Sequence, residues 1–505
     1  MKKLGFRGTL AVSVIAVTVP AQADTLREAL VRAYRSNPTI TVERASLRAN
    51  DENVPIARAG GLPNLSSGAN YTENVRTASN AFRSPNRQVT AGVDLTVPIY
   101  TGGLVRNSVR AAEERVNAGR SQLRSVESSV FNDAVSVYMD VIRDEAIVGL
   151  NQQNVRVLEV NLQAIRDRFE VGDLTRTDVA QSEARLAVAQ SRLREAEAQL
   201  IGSRENYVRI IGAPGGVLEA PPSLPNLPAS PDAAVTVALA DNPSLEGARR
   251  FSQAARYDVG VAKAGRLPRL NAVAGGDYFT YLGSSGSGSG ARVDQSGTSA
   301  TAGLSLSLPL FQGGRPSAQI RQAEARRAVA IEDSTNAERS VVAQTRANFA
   351  FWQSALRVIE SADIAVNANK LSLEGVRAEN SVGTRTILDI LNAEQELLNS
   401  QVQLVSARRD AYVAGFALLV SMGHAQAEDL GLQSDGPLYD PTVNYNRVRK
   451  TISDWRSDGD PAPVATRTVD SPAQTPVVRA NPEFSDPALQ RPVDTVRPNP
   501  AGERR

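Results

Sequence analysis

The sequence predicts a mainly α chain with a small β component. Each half of an internal twofold repeat carries one strand hairpin and one long helical hairpin, and the strands serve a β-barrel shared between subunits. Three observations carry this. Asn37-Pro38 recurs as Asn242-Pro243 and "RAGGLPNL" (58–65) as "KAGRLPRL" (263–270), both at a shift of 205 residues. Further on, "VPIYTGG" (97–103) pairs with "LPLFQGG" (308–314), and within "EVGDLTRTDVAQ" (170–181) and "NSVGTRTILDIL" (380–391) Val171-Gly172 pairs with Val382-Gly383 and Asp178 with Asp389, all at a shift of 211. Such self-similarity marks a duplicated architecture. Within each half the apolar period then changes in the same order, from strand-like to helical.

The chain opens with a basic stretch (Lys2, Lys3, Arg7), an apolar run from Leu10 to Val19 and the small-x-small pattern Ala21-Gln22-Ala23. That order is the signature of a secretory leader, with a mature chain starting at Asp24. Next comes a helical stretch, Leu26 to Ala59, broken at Asn37-Pro38 and echoed by Ala233 to Ala264, broken at Asn242-Pro243. The strand hairpins follow, at about 62–99 and 268–311. Their return strands alternate: Val93, Leu95 and Val97 oppose Asp94 and Thr96, and Leu304, Leu306, Leu308 and Leu310 oppose Ser305 and Ser307. The six residues that separate the two shifts fall near "GSSGSGSG" (283–290), a polar stretch tolerant of insertion.

After each Gly-Gly pair the chain turns rich in Ala, Arg, Glu, Gln and Leu. Gly103 to Phe169 contains no proline, and as helix it spans about 100 Å at 1.5 Å per residue. A return helix follows each Val-Gly turn, with Val179, Leu186, Leu193 and Leu200 in the first half and Ile390, Leu397 and Leu404 in the second. Apolar residues seven apart imply a left-handed coiled coil, so the helical hairpins are expected at about 103–212 and 314–422. The two repeats then span about 24–215 and 230–432. From residue 437 large apolar side chains are scarce, and nine prolines fall between Pro461 and Pro500. This tail, 437–505, is expected to be disordered and dispensable for assembly.

Composition excludes several functions. Without Lys2, Lys3 and Arg7, the 56 basic residues fall to 53 against 54 acidic ones, which leaves no basic field for nucleic acid. There is no cysteine, hence no disulfide and no thiol for a lipid anchor. A single histidine, His424, and the lack of GxSxG, phosphate-loop or metal-ligand spacing argue against an enzyme, a cofactor or a metal centre. No segment reaches the roughly 18 apolar residues of a transmembrane helix, so membrane contact must be made by strands. Four strands per chain cannot close a barrel, which needs at least about eight; three protomers would supply twelve.

The twofold strand-hairpin and helical-hairpin repeat, the strand exits at Pro98–Gly103 and Pro309–Gly314, and "SVGTRTILDIL" together resemble the TolC family of outer-membrane channel-tunnels, over roughly 24–432. The resemblance implies a homotrimer whose twelve-stranded barrel in outer-membrane lipid continues as a long α-helical coiled-coil barrel across the periplasm. A periplasmic adaptor (membrane fusion protein) and an inner-membrane transporter of ABC or RND type would open its lower end. Val171, Gly172, Asp173 and Leu174 at one tip, and Val382, Gly383 and Thr384 at the other, would dock the adaptor.

By the same resemblance Asp389 forms an inward-facing carboxylate ring, Arg385 ties the inner coiled coil to its neighbours, and Asp178 is its partner carboxylate. Such a pair would hold the mouth shut. Asn392 stands where relatives place a second aspartate and Asn380 where they place a tyrosine, which weakens the expected gate. Type I protein secretion and small-molecule efflux are both compatible cargoes. The competing reading is a soluble periplasmic coiled-coil adaptor or scaffold, which explains the hairpins and leader but not the strand pairs.

Overall fold

Each strand pair ends in two glycines because the chain must pass from sheet to helix through left-handed backbone. Gly102 and Gly103 have φ of 64° and 82°, and Gly313 and Gly314 have 60° and 82°, a region that L side chains rarely adopt. The computed structural model describes residues 24–76, 85–225, 227–284 and 294–478. The leader expected over 1–23, residues 285–290 of the expected insertion and the tail beyond 478 lie outside the described residues.

The element order is α1 (Leu26–Ser36), α2 (Pro38–Asp51), α3 (Asn53–Ala59), β1 (Asn64–Glu73), β2 (Arg87–Tyr100), α4 (Leu104–Glu170) and α5 (Arg176–Ile211) in the first half. The second half repeats it as α6 (Pro231–Asp241), α7 (Pro243–Ala264), β3 (Arg269–Thr280), β4 (Ser296–Ser307), α8 (Arg315–Ser381) and α9 (Ile387–Met422), and a short α10 (Thr442–Val448) follows. Both outgoing long helices have 67 residues and both return helices 36. The four strands form one antiparallel sheet in the order β1-β2-β3-β4, with Leu65 opposite Leu95 and Leu270 opposite Leu306. Within the protomer β1 and β4 each have an unpaired edge.

The Asn-Pro pairs explain themselves in three dimensions. Asn37 caps α2 by accepting from the Thr39 N–H at 2.8 Å, while its own amide donates to the Ile210 carbonyl at the end of α5, also at 2.8 Å. Asn242 does the same in the second half, capping α7 and donating to the Ser421 carbonyl at the end of α9. One asparagine thus ends one helix, starts the next and ties both to the coiled coil, with proline at N1, where no amide hydrogen is needed. Around these joints sits the main core, where Phe131, Tyr138, Ile40, Leu200, Ile211 and Leu418 are almost fully buried.

Glu127 is buried against that core and accepts from the Ala427 N–H at 2.9 Å. Burial pushes its carboxyl up to about 7, against the opposing pull of that N–H and of Arg44. The folded chain therefore holds this proton more tightly than the unfolded one. The associated stability is fully present below the ordinary value of 4.5 and is lost as pH rises through about 7. The full difference amounts to about 3 kcal/mol. Thermal midpoints across that window should fall with rising pH more steeply in the natural protein than in Glu127→Gln.

The tail corrects one expectation. Residues 437–478 are not disordered but lie along the body: the Tyr439 N–H donates to the Tyr34 hydroxyl at 2.9 Å, and the Arg44 guanidinium stacks over the rings of Tyr34 and Tyr439. Asn444 donates to Asp51 at 2.8 Å, and Val448 is buried. Lower down, the Gln474 N–H donates to Glu205 at 3.0 Å. Proline content describes a chain that cannot build its own core, yet it leaves the chain free to lie extended on one already built.

Candidate functional site

The tips of the helical hairpins are two copies of one turn. Gly172 and Gly383 take φ of 84° and 82°, and the next helix opens with a Thr-x-x-Asp capping box in each. Asp178 accepts from the Thr175 N–H at 2.9 Å and its hydroxyl at 2.7 Å; Asp389 accepts from the Thr386 N–H at 2.9 Å and its hydroxyl at 2.8 Å. Hydrogen bonds from the capping threonines, the hydroxyl first for Asp178 and the backbone first for Asp389, hold both carboxyls below the usual carboxylate range. Both side chains remain anionic and oriented without help from a second hairpin.

Arg385 is bound elsewhere than expected. Its Nε donates to Glu379 at 2.7 Å, on its own hairpin, which also holds its pKa above the ordinary arginine value. The Arg385–Asp178 pair is absent within the protomer because each partner is satisfied by a residue close to it in the chain. Asn380 donates to the Arg385 carbonyl at 2.7 Å, bracing the same turn. The first tip is tied in reverse charge order, Arg168 to Asp173 at 2.6 Å. Around these ties Val171 and Val382 are 80% and 74% exposed, with Thr384 exposed and Leu174 partly so.

What joins the two hairpins lies one to two turns above the tips. Asn392 accepts from Arg185 of α5 at 2.8 Å. Deeper in, Glu394 of α9 takes an ion pair from Arg377 of α8 at 2.9 Å and a hydrogen bond from Asn161 of α4 at 3.1 Å. Glu394 is 6% exposed at its side chain and Arg377 18%; burial raises the Glu394 pKa although Arg377 and Asn161 pull it down. An apolar patch of Val155, Leu158, Ala189 and Leu391 completes the junction.

Sequence reasoning missed Glu394, Arg377, Asn161 and Arg185. A signal did exist: the 211-residue shift maps Arg166 and Glu183 onto Arg377 and Glu394. The first copy also forms an ion pair, at 2.7 Å, but with both side chains about half-exposed.

One antiparallel sheet with two free edges, opening onto helical hairpins of about 100 Å, defines an outer-membrane export channel whose helical part extends into the periplasm. The chain belongs to the outer membrane efflux protein family, whose model matches residues 29–213 and 234–424. It is a family of channels, not of enzymes. The chain is 33% identical to the outer membrane efflux protein BepC of Brucella suis, over 85% of this chain and 91% of that one. It is 28% identical to the outer membrane protein TolC of Escherichia coli, over 89% and 93%. Among solved structures the fold matches the Campylobacter jejuni CmeC outer membrane channel with a TM-score of 0.70 at 16% identity, covering 85% and 90% of the chains. It matches VceC of Vibrio cholerae with 0.67 at 21%, covering 79% and 96%. The TolC-family resemblance therefore holds, and the adaptor reading falls.

Proposed function

We propose that the chain is the outer-membrane exit duct of a tripartite export system. It assembles as a homotrimer and is opened at its tips by a periplasmic adaptor and an inner-membrane transporter of ABC or RND type. One observation carries this reading: each protomer leaves unfinished the surfaces that a ring would complete. β1 and β4 have free edges, and such edges demand pairing. The long α8 buries few side chains and leaves Phe351, Ile364 and Leu371 at 65–70% exposure. Pairing β4 of one copy with β1 of the next covers both features and closes twelve strands. Native mass measurement in detergent should give a trimer; a monomer or dimer would sink the proposal.

Three protomers present six similar tips, and exposed Val171 and Val382 supply the apolar contact for an adaptor. The cargo class extends from relatives: one is the alkaline protease secretion protein AprF of Pseudomonas aeruginosa, 29% identical, and another the pyoverdine export outer membrane protein OpmQ of Pseudomonas putida, 23% identical. Protein and small-molecule export both fit.

Under this reading Asp389 supplies the carboxylate ring of the mouth, with Asp178 and Arg385 in the same tier and Asn392 one turn above. Because Asp389 also caps α9, Asp389→Asn is the clean test, since an amide oxygen can still accept from Thr386 while the charge is lost. Block by multivalent cations in a planar bilayer should weaken severalfold without loss of assembly. Unchanged block would place these carboxylates outside the pore. Asn392→Asp would face Arg185, so its added charge is largely neutralised and block should strengthen only slightly.

A further inference from the structure

The chain has two tryptophans, and one of them, Trp455, is 98% exposed. It stands in a loop that is built rather than loose. Arg447 donates to both carboxylate oxygens of Asp458, at 2.8 and 2.9 Å, closing residues 449–457 at their base. Arg447 also donates to Asn444 at 2.8 Å, and Asn444 in turn to Asp51 of α2 at 2.8 Å. Arg58 of α3 donates to the Arg449 carbonyl at 3.2 Å. The loop is thus fastened beside the α3–β1 turn, sharing a groove with Ile56, Leu62 and Leu65. That turn marks the periplasmic end of the sheet, because α3 enters the strands there.

Two features say what covers this surface. First, Ile452 is 77% exposed and Ile56 and Leu65 are each 69% exposed, so the exposed apolar side chains of the loop run on through α3 to the start of β1. The strand exits at the same end carry Tyr100 and Phe311, 48% and 90% exposed. Second, the loop carries Arg449, Lys450 and Arg456 against Asp454 alone, a local charge of +2. An indole beside basic side chains suits the boundary between headgroups and acyl chains, where its ring is buried and its N–H stays wet. Basic residues there draw anionic phospholipid.

We propose that loop 449–457 is an interfacial anchor that seats Trp455 and Ile452 in the periplasmic leaflet of the outer membrane, fixing the depth and tilt of the duct from below the barrel. The test uses full-length protein carrying Trp352→Phe, which makes Trp455 the sole tryptophan, reconstituted in vesicles of phosphatidylethanolamine and phosphatidylglycerol. Should that replacement disturb the core, the difference in emission between the natural protein and Trp455→Phe isolates the same signal. The expected result is blue-shifted emission that loses most of its intensity when the lipids are brominated near the headgroup, and that resists iodide. Emission at the position of tryptophan in water, quenched by iodide, overturns the proposal. Shielding from both quenchers overturns it too, by assigning the loop to contact with a second copy.

Discussion

Replacing Glu394 with alanine is expected to loosen the lower third of the helical barrel by about 3–5 kcal/mol, because it removes the buried carboxylate to which both Arg377 and Asn161 are tied. Glu394 holds three helices at once, α9 that bears it, α8 through Arg377 and α4 through Asn161. Hydrogen exchange should therefore accelerate on both hairpins around residues 155–165 and 387–398, while the main core around Tyr138 and Phe416, about six turns away, keeps its protection. Under the exit-duct reading, single-channel conductance rises as well. The control is already in the chain: Glu183→Ala breaks the exposed copy of the same pair, which contributes less than about 1 kcal/mol. Combining Arg377→Met with Glu394→Leu removes both charges and should recover most of the loss. If Glu394→Ala exchanges no faster than Glu183→Ala, the buried pair is not what joins the hairpins.

Ending the chain after Gly436 should have an effect of similar size, contrary to what the tail's composition suggests. The truncation removes Val448, buried to 4% exposure, together with Leu438 and Tyr439, which pack against the main core. Burial of this kind contributes about 4 kcal/mol in all. It also leaves Asp51, whose pKa burial already raises, without the amide of Asn444. Ending the chain after Val478 keeps every one of these contacts. Heat-induced dissociation of the assembled particle should thus occur at distinctly lower temperature for the first truncation and at the natural temperature for the second. Equal midpoints would return the tail to the passive role that its prolines imply.

Much of the fold was legible because it rests on local rules repeated twice. The Gly-Gly exits, the Asn-Pro joints, the Val-Gly turns and the Thr-x-x-Asp caps each use a residue type for a conformation that few others adopt, and each recurs at a fixed shift. The candidate site was only partly legible. The tips lie where the motif places them, but Arg385 sits against Glu379 rather than Asp178, a choice between two carboxylates that spacing along the chain does not rank. The junction above was missed because a Glu and an Arg on facing helices read as two solvated charges.

The sequence by itself determined the duplication, the length of the helices, the turns that end them and a strand count that no single chain can close. These follow from backbone preference and apolar period, which act over a few residues. Only the tertiary structure decided which of two equivalent ion pairs is desolvated and whether the tail is bound. Arg166–Glu183 faces water, whereas Arg377–Glu394 lies where α9 packs against α4. The tail holds its place through Tyr34, Asp51 and Glu205, hundreds of residues away in the chain. Burial depends on what a neighbouring element brings from afar, and no local pattern encodes that.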